Sequence, residues 1–215
     1  MGRDDWFRRT TWTEQDQRDF FERNARGRGA DRKAQYIRIQ AVTLLKTGRP
    51  ELIRSALILF ELMLKDYPDA LDVAPALTGA GECNELLGAV DSAIAYYRRA
   101  LDRERARPGW RTGAAYRLAK LAVESKNWPA CAEAIEAMES HGDPVFPSQA
   151  YYRHGATAAL MDSRGDPATA RQFAVMALEA SAVRATALGY GRGHLGTVQN
   201  IDTRFHRLLA NLVAA

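Results

Sequence analysis

The sequence predicts an all-α protein, an α-α superhelix of about four helical hairpins with one further helix at each end. Three observations lead to this prediction. Apolar residues recur every three or four positions through most of the chain, as they do along one face of an α-helix. Short turns rich in glycine and proline separate these stretches. Small residues recur at a regular spacing in alternate helices, which indicates an internal repeat.

Composition sets the broad class of the protein. The chain has 215 residues, of which 47% are hydrophobic, enough to bury the core of one domain or one short solenoid. Its formal net charge of +4 is too small to imply nucleic-acid binding by itself. Acidic residues near the N-terminus argue against a signal peptide, and no apolar run is long enough to span a membrane. We therefore expect a cytoplasmic protein.

The two cysteines, Cys83 and Cys131, each fall within a predicted helix. In a chain without an export signal, two such thiols are expected to be reduced and buried as small residues of the core.

Residues 1–30 are predicted to form an N-terminal arm and a first helix. The arm, which ends at Trp12, mixes aromatic and charged residues. We expect it to be extended, with its rings lying against the body of the protein. Thr13 is expected to cap the helix, with Asp16 as its capping-box partner. The helix then runs to about Arg26.

Residues 31–184 are predicted to form four helix pairs. The segments that carry them are 31–46, 51–65, 77–102 (both helices of the second pair), 112–125, 129–140, 147–164 and 167–184. The helix over 51–65 is apolar on more than one side and should be packed between neighbours. Residues 185–215 are predicted to contain a glycine-rich linker and a capping helix. All of these parts are assigned to one domain, residues 1–215.

The repeat is clearest in the second helix of each pair. Small residues recur there at spacings of 37, 38 and 39 positions, at Ala56, Ala93, Cys131 and Ala170. Twelve residues earlier a second small residue stands in three of the four pairs, at Gly81, Ala119 and Ala158. Two helices can cross at short distance only where both carry little side chain, so these positions are expected at the helix crossings.

This pattern resembles the tetratricopeptide repeat (TPR), whose period is about 34 residues. The resemblance covers residues 36–184 and is closest in the second hairpin. The period here is longer, and the proline expected after each second helix is well placed only at Pro68. Residues from Trp12 through 35–40 (QYIRIQ) are also similar to uncharacterised bacterial TPR-like proteins. The resemblance implies a superhelix whose concave face, formed by the first helices, binds a protein or peptide.

On that register seven side chains are expected on the concave face as partner-binding residues. They are Arg38, Glu82, Glu85, Tyr116, Lys120, Tyr152 and Asp162. Exposed aromatic rings beside charges suit peptide recognition, because the ring supplies contact area and the charge fixes register. The alternative is that Tyr116 and Tyr152 pack between repeats. A lysine and asparagine clamp for a C-terminal carboxylate is disfavoured, because Thr78 and Glu82 stand among the matching positions.

Charge is distributed unevenly along the chain. Residues 51–91 have a net charge of −6, whereas residues 98–111 have a net charge of +4. This asymmetry suggests electrostatic steering of a polar partner, or self-association. The N-terminal arm offers a second route to self-association. The alternative is that the charges simply belong to solvated helix faces. Because the acidic region adjoins the basic one, a continuous phosphate-binding track, and hence nucleic-acid binding, is not expected.

Catalysis finds little support in the sequence. The four histidines are scattered, with no pair at metal-ligand spacing. The glycine-rich stretch 189–196 lacks the preceding strand and the lysine of a phosphate-binding loop. We therefore predict no enzyme activity, no cofactor and no metal. The predicted function is non-catalytic binding of a protein or peptide; the alternatives are an immunity or regulatory protein that neutralises a single partner and, less favoured, a nucleic-acid-binding repeat.

Overall fold

The computed structural model describes residues 5–107, 111–186, 195–198, 201 and 203–214, and all regular secondary structure within them is helical. The helices are α1 (Glu14–Ala25), α2 (Ala30–Leu45), α3 (Pro50–Asp66), α4 (Val73–Leu86), α5 (Val90–Ala106), α6 (Ala114–Ser125), α7 (Trp128–Glu139), α8 (Pro147–Ser163), α9 (Pro167–Ala182) and α10 (Thr203–Ala214). The all-α prediction is thus confirmed. None of the described helices is long and apolar enough to cross a membrane.

The chain divides into two compact units, residues 1–114 and 115–215. In the first unit each helix from α1 to α5 packs on the next one, and α2 also touches α4. In the second unit α7 packs on α8, α8 packs on α9, and α10 packs on both α8 and α9. Helix α3 lies between α2 and α4, as its apolar circumference predicts.

The small residues of the predicted repeat lie in the core. None of the four side chains at the crossing positions is exposed to solvent: Ala56, Ala93, Cys131 and Ala170. Gly81 shows why a small residue is needed, because a Cβ atom there would lie 2.5 Å from Cε1 of Tyr97, a fully buried ring of α5. The Tyr97 ring therefore packs directly against the backbone of α4 at Gly81, where α4 has no side chain.

Two helix starts differ from the sequence prediction. Helix α4 begins at Val73, four residues before the predicted segment. Helix α6 begins at Ala114, because the Thr112 N–H donates to Glu104 Oε1 at 2.8 Å and Gly113 adopts a φ of 84°. A positive φ of this size lies in the left-handed region, which favours glycine, so Gly113 cannot be part of a right-handed α-helix. The predicted glycine-rich linker lies largely outside the described residues.

The N-terminal arm lies against α1 and α2, as predicted. The ring of Trp6 is 5.4 Å from Phe20 and 5.0 Å from Tyr36 between centroids. Thr13 caps α1 in a capping box with Asp16. The arm is not extended throughout, because the Arg8 N–H donates to the Asp5 carbonyl at 3.0 Å and closes a turn.

Both cysteines are free and buried, as predicted. Burial is the main reason that the pKa of each thiol, Cys83 and Cys131, is raised to about 12. Neither thiol is activated as a nucleophile by this environment.

Candidate functional site

The predicted partner-binding residues all lie on the first helices of the hairpins. Arg38 is on α2, Glu82 and Glu85 are on α4, and these three belong to the first unit. The other four belong to the second unit: Tyr116 and Lys120 on α6, and Tyr152 and Asp162 on α8.

In the first unit two of the three predicted residues are bonded within the fold. Arg38 Nε lies 3.0 Å from Asp72 Oδ1, and both side chains are largely buried, at 24% and 15% exposed. This ion pair joins α2 to the start of α4. Glu85 accepts a hydrogen bond of 2.7 Å from the hydroxyl of Tyr97, which joins α4 to α5. Glu82 is half-buried.

In the second unit α6 and α8 bring two predicted residues together. The ring centroids of Tyr116 and Tyr152 are 6.4 Å apart, and both side chains are half-buried. Lys120 is half-buried one turn after Tyr116, whereas Asp162 is exposed near the end of α8. The two tyrosines thus pack between hairpins and still leave part of each ring accessible.

Helix α10 packs a further ring against these tyrosines, a contact that the spacing of the small residues does not predict. Phe205 is fully buried and lies 5.9 Å from Tyr152 and 5.5 Å from Tyr151 between ring centroids. Gly155 on α8 makes room for it, because a Cβ atom there would lie 2.7 Å from the Phe205 ring. We call Tyr116, Tyr151, Tyr152 and Phe205 the aromatic cluster. The glycine within α8 was the available sequence signal for this close approach.

Several contacts join residues that lie a similar number of positions apart in the sequence. The partners are 34 to 36 positions apart in each of these pairs: Arg38 and Asp72, Thr78 and Thr112, Glu61 and Tyr96, Pro68 and Arg103, and Tyr116 and Tyr152. The first four pairs lie within the first unit and the last within the second. These separations lie close to the TPR period of about 34 residues and somewhat below the spacings of 37 to 39 positions between the small residues.

Some charged residues of the first unit make contacts within the fold. The hydroxyl of Tyr96 donates to Glu61 at 2.8 Å, and burial followed by this contact raises the pKa of Tyr96 to about 12. The guanidinium of Arg99 lies 5.2 Å from the centre of the Tyr96 ring. Arg105 pairs with Asp102 at 2.8 Å.

The described residues contain no group of three histidine, cysteine, aspartate or glutamate side chains that could hold a metal ion. His154 is half-buried and stacks on Phe173 at 5.8 Å between ring centroids. Burial, with a smaller contribution from Arg153, lowers the pKa of His154. His154 is therefore mainly neutral at neutral pH.

Comparison with known proteins finds no family that matches the chain and no curated protein that matches it.

Proposed function

We propose that the protein is a TPR-like helical repeat whose function is non-catalytic binding of a protein or peptide partner. The observation that supports it best is the set of contacts between residues 34 to 36 positions apart. Stacked hairpins bring residues of successive repeats together at separations close to one period, and the separations here are somewhat shorter than the 37 to 39 positions between the small residues. In a stack of this kind the first helices form the concave face, and we place the binding of the partner on that face.

The proposed binding surface of the second unit comprises Tyr116, Lys120 and Tyr152. Two partly exposed rings 6.4 Å apart supply rigid contact area for an apolar side chain of the partner. The ammonium group of Lys120, one turn from Tyr116, favours a carboxylate in the same segment. Asp162 extends the predicted surface along α8. In the first unit, Arg38, Glu82 and Glu85 remain predicted contact residues, although the bonds of Arg38 and Glu85 limit how far their side chains can turn toward a partner.

Site-specific photo-crosslinking in the native cell tests this proposal. A benzophenone amino acid replaces Tyr152 in one variant and Met176, which is exposed on α9, in the control variant. We expect a protein that cross-links at position 152 and not at 176, and that is lost when Lys120→Ala is added. Identical products at both positions, or a product that persists with Lys120→Ala, would contradict the proposed surface.

A further inference from the structure

The N-terminal arm is held through its backbone as well as through its side chains. Gln40, which is fully buried on α2, donates from Nε2 to the Arg9 carbonyl at 2.8 Å and accepts from the Arg9 N–H at 2.9 Å. Arg49 donates to the Thr10 carbonyl at 3.2 Å. A carboxamide that bonds both polar groups of one residue pairs with it much as a neighbouring β-strand does, and it recognises a backbone whatever its sequence.

Two side chains of the arm fill specific subsites. The Trp6 ring lies against Phe20 and Tyr36, so this subsite is aromatic. The guanidinium of Arg9 lies 2.5 Å from Asp16 Oδ1 and 3.3 Å from Asp19 Oδ2, so the second subsite is acidic. The two carboxylates complement a cation, and the planar fork of arginine can contact both at once.

The acidic subsite is held in place by its own hydrogen bonds. Asp16 Oδ2 accepts from the hydroxyl of Thr11 at 2.8 Å and from the N–H of Thr13 at 2.9 Å. Burial alone would raise the pKa of Asp16, but the hydrogen bonds from Thr13, Thr11 and Arg9 outweigh it and lower the pKa to about 2. The carboxylate is therefore ionised at neutral pH.

We propose that the groove between α1 and α2 is a recognition site for a segment of a partner protein that carries an aromatic residue and, three positions later, an arginine. The chain's own segment from Trp6 to Arg9 fills this site in the structure and shows which chemistry fits it. The backbone clamp supplies affinity for an extended segment, and the aromatic and acidic subsites select its side chains. As a tethered ligand, the arm competes with the partner at a high effective concentration.

This groove lies in the first unit and shares no residue with the proposed surface on α6 and α8. The two proposals can therefore fail separately. A partner that occupies this groove would displace the arm and so release the N-terminal residues.

The test uses the full chain with its own arm weakened by Trp6→Ala and Arg9→Ala. The probe is a fluorescent peptide with the sequence of residues 5–11, DWFRRTT. We expect the peptide to bind this variant about tenfold or more tightly than the wild-type chain, whose site is filled, a difference of about 1.4 kcal/mol. A second peptide, GWAARGG, which keeps only the aromatic residue and the arginine, should bind the same variant.

Two substitutions in the same helix test whether Gln40 holds the backbone of the peptide. Adding Gln40→Ala to the weakened variant should lower peptide affinity about tenfold, whereas adding Gln35→Ala, at an exposed position of the same helix, should leave it unchanged. Circular dichroism establishes that each variant is folded. If the double variant does not fold, Arg9→Ala alone replaces it, because Trp6 then still covers Phe20.

Three results would overturn the proposal. One is the absence of peptide binding to folded variants with a weakened arm. Another is equal loss of affinity from Gln40→Ala and Gln35→Ala. The third is a wild-type dimer that the Trp6→Ala and Arg9→Ala substitutions convert to a monomer, which would assign the groove to the arm of a second copy.

Discussion

The two units of the protein differ in the chemistry of the contacts between residues 34 to 36 positions apart. In the first unit these contacts are polar, such as the Arg38 and Asp72 ion pair and the hydrogen bond between Thr78 and Thr112 at 2.6 Å. In the second unit the corresponding contact is aromatic, between Tyr116 and Tyr152. Polar bonds have strict distances and angles, whereas ring packing tolerates a range of offsets. In the second unit, Tyr116 and Tyr152 pack against each other, and both residues also remain partly exposed.

The largest expected effect tests the aromatic cluster. Phe205→Ala should lower the free energy of unfolding by about 3–5 kcal/mol, because it empties a fully buried site that Gly155 shapes around the ring. Chemical denaturation measures this loss. Asn211→Ala, at an exposed position of the same helix, should be nearly neutral. Equal stabilities of the two variants would show that the cluster does not hold α10.

The next effect tests the helix crossing of the first unit. Ala93 is fully buried and Ala95 is exposed on the same helix. Ala93→Leu should overpack the crossing and destabilise the protein by about 1–3 kcal/mol, whereas Ala95→Leu should not. Thermal denaturation of the two variants compares them directly. Similar melting temperatures would contradict the assigned repeat register.

The helices and their crossings were predictable from the sequence because the signals for them are local. Small residues such as Ala93 and Gly81 mark a crossing by spacing alone, and turn glycines mark the ends of helices. The partner of a buried polar residue is not local. Gln40 lies among apolar residues of α2, and nothing near it in the sequence indicates that it binds the backbone of Arg9.

The candidate surface was predictable to a similar extent. The repeat spacing predicts that Tyr116 and Tyr152 occupy equivalent places on neighbouring first helices, and the structure brings their rings together. It does not predict which charged residues are bonded inside the fold. Arg38 reaches Asp72, and Glu85 reaches Tyr97, because of the rotamers and helix offsets of the folded chain.

A smaller effect tests the polar contacts of the first unit. The Thr112 hydroxyl lies 2.5 Å from Oε1 of Glu104, a buried carboxylate, and 2.6 Å from the Thr78 hydroxyl. Thr112→Val removes both bonds and should cost about 1–2 kcal/mol of stability in chemical denaturation. Thr43→Val removes only a bond to the Ile39 carbonyl in its own helix and should cost less. A larger loss of stability from Thr43→Val than from Thr112→Val would contradict a stabilising role for these polar contacts of the first unit.

The last effect concerns acid stability. The pKa of Asp16 is lowered to about 2 in the folded chain, so its ionised form stabilises the fold above its ordinary pKa, near 4. That contribution is lost as pH falls from about 4 through about 2. Asp16→Asn should therefore lower stability at neutral pH and reduce its pH dependence in this window. Thermal melts from pH 2 to pH 7 measure both effects, and parallel curves for the two proteins would contradict the assignment.

The most direct test of the central proposal is the affinity of the full chain for the partner that cross-links at position 152. We expect Tyr116→Ala combined with Tyr152→Ala to weaken binding about tenfold or more, a loss of about 1.4 kcal/mol. The doubly substituted chain must retain its helical circular dichroism spectrum. Arg171→Ala combined with Gln172→Ala, at exposed positions of α9, should leave the affinity unchanged. Undiminished affinity of the folded tyrosine variant would contradict the proposal that this surface binds the partner.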